Sequence, residues 1–85
     1  MIILDELLKR GFQSCKYDDY DCVMRIHEIH YLFWSENLNH FAIGVKNVDG
    51  KKEPGGYFKE YNIIVIPKPI YQMFDALLMI EALRS

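Results

Sequence analysis

"CVMRIHEIHYLFW", Cys22 to Trp34, is the stretch whose reading decides the fold. As a helix starting after a cap at Asp21, it aligns Val23, Ile26, His30 and Phe33 on one stripe. As a strand, it sends Val23, Arg25, His27, Ile29, Tyr31 and Phe33 to one face. Met24, Ile26, Glu28, His30, Leu32 and Trp34 then take the other. Neither period is clean. The strand is favoured, because the second half is crowded with β-branched and aromatic residues and "SENLN", 35–39, reads as a hairpin connection.

Working toward the N-terminus, "DDYD" at 18–21 is a turn signal, since short Asp side chains bond locally to the backbone and tolerate turn geometry. A two-residue loop at Asp18 and Asp19 sets Cys15 opposite Cys22 across a hairpin; a slip in register removes that pairing. Two small buried thiols are preferred over a redox pair. Further upstream, "ILDELLKRG" is an amphipathic helix with Ile3, Leu4, Leu7 and Leu8 on one face and Gly11 as its stop.

Toward the C-terminus, "HFAIGVKNV" alternates Phe41, Ile43 and Val45 with His40, Ala42, Gly44 and Lys46, which is a strand. "DGKKEPGG", 49–56, is a loop. "YFKEYNIIVI" returns as a strand, and its run Ile63 to Ile66, apolar on both faces, suits the middle of a covered sheet. The closing helix is expected to begin near Pro69. Ile70, Phe74, Leu77, Leu78, Ile80 and Leu83 are its apolar positions, and Gln72, Asp75, Met79 and Ala82 form a thin outward arc. More of its circumference is apolar than one contact with a sheet requires.

The expected architecture is α+β in one domain, 1–85: a short N-terminal helix, an antiparallel meander of about four strands, and a C-terminal helix packed on the sheet. Both helices are expected to cover the same sheet face. A chain of 85 residues, 51% hydrophobic, has material for a core without metal or disulfide staples. A net charge of −2 lacks the basic footprint of a nucleic-acid binder. No apolar run reaches membrane-spanning length, so a cytoplasmic protein with reduced cysteines and no membrane association is expected.

The candidate chemistry is thin. "HEIH" spaces its histidines by three, where the zincin pattern needs four on a helix. On a strand, His27 and His30 point to opposite faces, leaving Glu28 with His30 and His40 as a third ligand only if the register obliges. An architectural role is preferred, and no metal or cofactor is expected. A nucleophilic pair of Cys22 with His27 or His40 lacks any feature that would depress the thiol pKa. "PGGYFK" with Lys51, Lys52 and Lys59 lacks the spacing that cradles phosphate, and reads as a hairpin tip with solvated lysines.

Two binding functions are left. An aromatic platform of Tyr31, Trp34, Tyr57 and Tyr61 for single-stranded nucleic acid is the alternative, disfavoured by the acidic balance. The preferred reading is a non-enzymatic protein-interaction module of inhibitor, immunity or adaptor type, of the sort phages and mobile elements carry. Its partner is a protein or a second copy, as a homo-oligomer, and its apolar surplus marks the contact. The expected interface residues are Tyr31, Trp34, Tyr57, Phe58, Tyr71, Leu78 and Met79. The competing reading is that all this apolar material is intramolecular core.

Overall fold

The segment in question is extended, but as two strands instead of one. The computed structural model of the chain describes residues 3–85. In order it has α1 (Ile3–Lys9), β1 (Gln13–Tyr17), β2 (Tyr20–Arg25), β3 (His30–Ser35), β4 (His40–Lys46), β5 (Tyr61–Val65) and α2 (Met73–Arg84). The strands form one antiparallel sheet in the order β1-β2-β3-β4-β5. The α+β class holds, with five strands where about four were expected.

The extra strand comes from a reversal inside "HEIH". The N–H of His27 donates to the carbonyl of His30 at 3.2 Å, and that of His30 to the carbonyl of His27 at 3.3 Å. Glu28 and Ile29 are the two-residue loop of a hairpin. The register pairs Cys22 with Trp34, Val23 with Phe33, Met24 with Leu32 and Arg25 with Tyr31. Odd numbers face odd numbers, so the face assignments made for a single long strand survive for the paired residues Cys22–Arg25 and Tyr31–Trp34, and are lost in the turn at His27–His30.

One sheet face carries Cys22, Leu32, Trp34 and Phe41, all without solvent exposure. Against them pack Ile3 and Leu7 of α1, Ile70, and Met73, Ala76 and Ile80 of α2. Both helices therefore cover this face. Complete burial of each large side chain contributes about 1.5–3 kcal/mol relative to exposure. The opposite face has no helix. Tyr20, Phe33 and Ala42 are buried there beneath Tyr17, Val23, Tyr31, Tyr61 and Ile63, so the sheet covers its second face with its own aromatic rings.

Local chemistry sets the ends of α1. Phe12 N–H bonds to Leu7 O (3.1 Å) and Gly11 N–H to Leu8 O (3.4 Å), a Schellman closure. It needs a left-handed residue, which Gly11 provides at φ 102°. Phe12 and Leu7 are both buried, completing the hydrophobic contact that accompanies this cap.

Three expectations are corrected. The helix α2 begins at Met73 and not near Pro69, because Ile70 N–H is bonded to Asn39 O (2.7 Å) and Gln72 is extended at φ −130°, ψ 142°. The Ile63–Ile66 run lies on the outermost strand and not in the middle of the sheet, since nothing pairs with β5 beyond β4. Tyr57–Glu60 is not strand: it belongs to the loop, held there by the isolated bridge between Lys52 and Phe58.

Candidate functional site

The "HEIH" reversal brings the two imidazoles together where a strand would have separated them, with ring centroids 6.1 Å apart and edge to face. His40 sits elsewhere, at the start of β4, with its ring 5.9 Å from that of Tyr20. Among the described residues no three His, Cys, Asp or Glu side chains group so as to hold a metal ion. What the motif does in the fold is reverse the chain.

The two cysteines are not opposite one another. The turn at Asp18 and Asp19 forms, with Asp18 at φ 51°, and Tyr17 pairs with Tyr20 across it. Further along, however, Ser14 and not Cys15 faces Cys22, because the register shifts between Ser14 and Tyr17. Cys15 and Lys16 together span the place of Asp21, a β-bulge. Cys15 then packs with the aromatic cluster while Cys22 lies in the helix-side core. Burial pushes the Cys22 thiol up to about 12, reinforced by Cys15, Asp21 and Glu36 nearby. Burial raises Cys15 as well. Both shifts disfavour the thiolate, the nucleophilic form.

The loop lysines are exposed. Asn47 fixes the base of their loop by donating from Nδ2 to Lys51 O (2.8 Å) and Lys59 O (2.9 Å). A hollow of about 440 Å³ here is lined by Lys46, Lys51 and Lys52 together with Asp49 and Glu53, so its charges are mixed.

The aromatic platform does not assemble. Trp34 is 0% exposed and on the helix side, where its ring lies 4.8 Å from Phe41 and its Nε1–H donates to Glu36 Oε1 at 2.7 Å. Tyr31 and Tyr61 are half-buried on the opposite face, edge to face at 5.2 Å. Tyr57 is out on the loop. For the same reason Trp34 is corrected as an interface residue: it fills the core.

The remaining interface candidates fall into two places. Tyr57, 70% exposed, and Phe58 share the loop after β4. Tyr71 lies exposed just ahead of α2, while Leu78 is on the helix and Met79, half-buried, lines a groove beside it. Phe74 was recognised as an apolar position but not as a surface one; it is 67% exposed and one turn from Leu78, 52% exposed. Leu78 borders a groove of about 410 Å³ between α2 and the sheet, walled by Ile43, Ile66, Met79 and Leu83. On β5, Ile64, paired with Ile43, is 61% exposed. The two-sided run 63–66 was the available signal for this patch.

Comparison with known protein families, characterised proteins and solved structures returns no match to this chain. Among the described residues no helix is long and apolar enough to cross a membrane.

Proposed function

We propose that the chain is a non-enzymatic protein-interaction module of inhibitor, immunity or adaptor type, acting in the cytoplasm. One observation carries this reading: Leu78 of α2 stands in solvent at an apolar groove shared with Ile43, with Phe74 exposed one turn away and Ile64, the strand partner of Ile43, exposed as well. Small domains have little apolar surface to spare, and a contiguous patch of this kind usually marks a contact with another protein.

The test is affinity capture from cells of the source with the wild-type chain and with the double variant Phe74→Glu/Leu78→Glu. Both positions are exposed, so the variant should keep its fold, checked by circular dichroism. A protein identified in the first capture and lost from the second is the expected result. Identical captures would remove the patch from any binding role.

A further inference from the structure

The sheet's two outer strands differ in how they end it. The edge of β1 carries the bulge and Lys16, both of which discourage another strand from pairing. β5 has neither over Ile63–Val65. The N–H of Ile66 turns inward, to Phe41 O on β4 (3.0 Å). That of Tyr61 turns outward, to the hydroxyl of Tyr17 (3.3 Å). Backbone direction alternates along an antiparallel strand, so the N–H and C=O of Ile63 and Val65 also face outward. Among the described residues nothing bonds to them.

This open stretch has two defined ends. At one, Tyr17's hydroxyl accepts from Tyr61 N–H and donates to Tyr61 O (3.1 Å). At the other, Pro67 has no N–H to offer.

We propose that β5 pairs antiparallel with β5 of a second copy about a two-fold axis at Ile64, joining the two sheets into one. The inference rests on the reading of the chain as an interaction module and supplies its partner. In this register each copy's Ile63 opposes Val65 of the other, so every outward group finds its complement. A two-fold at Ile63 instead would require the Tyr61 groups that Tyr17 already holds. The chosen register sets Ile64 against the partner's Ile64. Counted on past the strand ends, it puts Glu60 in line with the partner's Lys68, opposite charges at both ends, Lys68 lying just beyond a turn in which its N–H bonds to Ile66 O (2.8 Å). The apolar surface offered by Ile64, Val65, Phe74 and Leu78 is smaller than the ~800 Å² per partner of a standard interface, so the dimer is expected to dissociate on the order of 10 µM.

Analytical ultracentrifugation from about 1 to several hundred µM tests the pairing, a range set around that constant. Val65→Pro deletes an outward donor and should weaken the dimer at least about tenfold, with fold checked by circular dichroism. As the exposed Glu60 and Lys68 carry no folding risk, Glu60→Lys and Lys68→Glu should each weaken it about threefold, and the double swap should restore it. A monomer throughout the range overturns the proposal, as does a dimer indifferent to Val65→Pro in the folded protein, or a double swap no better than its singles. If the chain is monomeric but captures a foreign protein that Phe74→Glu/Leu78→Glu loses, the module reading stands without self-pairing. If neither holds, both fall.

Discussion

The ring of Phe33, on β3, occupies the space where a side chain on Gly44, on β4, would begin; a Cβ there would run into Phe33 and come within 3.2 Å of Ile63. The glycine lets the ring settle onto backbone, which keeps Phe33 at 1% exposure on a face with no helix above it. Gly44→Ala should therefore destabilise the fold by about 1–3 kcal/mol through overpacking. That outweighs the ~0.5–1 kcal/mol gained by removing glycine's freedom. Urea denaturation reads the loss, and adding Phe33→Leu should make the double variant less destabilised than the two singles predict.

Tyr17 and Tyr61 tie β1 to β5, the opposite margins of the sheet. Tyr17→Phe keeps the ring against Phe33 and Tyr61 but removes both bonds at the hydroxyl. A loss of about 1 kcal/mol is expected, because Tyr61's freed groups reach water at the edge. Amide exchange at Tyr61 should quicken, and self-association should strengthen as the open edge lengthens.

Glu36 holds two elements through one oxygen. Its Oε1 accepts from Trp34 Nε1–H at 2.7 Å and from Leu4 N–H at 3.0 Å, while its own N–H donates to Asp21 Oδ2 at 2.8 Å. Glu36→Ala strands a buried indole N–H and uncaps α1, for an expected cost of about 2–3 kcal/mol. Glu36→Gln, still an acceptor, should lose less. Trp34, the one tryptophan, provides the fluorescence signal for both unfolding curves.

Alkaline pH should weaken the fold through Cys22. Its thiol titrates near 12 when folded and near 9.0 otherwise, so its contribution is full below pH 9 and lost as pH rises toward 12. Stability measured from pH 8 to 11 should fall more steeply in the wild type than in Cys22→Ala. An equal slope in the two would refute the assignment.

The sequence made legible what turn chemistry or a one-sided pattern marks. Gly11 stops α1, the Asp18-Asp19 turn forms, and the two faces of Cys22–Arg25 and Tyr31–Trp34 sort as a strand requires. The hairpin at Glu28-Ile29 was hidden because neither residue is a glycine, asparagine or aspartate. The bulge in β1 has no composition of its own, so the cysteine register was missed by one residue. An apolar run on both faces reads as a central strand, yet Ile63–Ile66 lies at the margin with Ile64 in solvent. Among the interface candidates, Trp34 misled because aromatic anchors and core fillers are the same residue types.

The bulge beside Cys15 has a consequence for assembly. A molecule with one adhesive margin and one blunted margin joins a single neighbour and is then saturated. With β5 paired as proposed, head-to-tail filaments, which need both rims receptive, would be closed to this chain by the bulge in β1. In the proposed pairing, the irregularity that spoiled the cysteine register would act as a chain terminator and hold the stoichiometry at two.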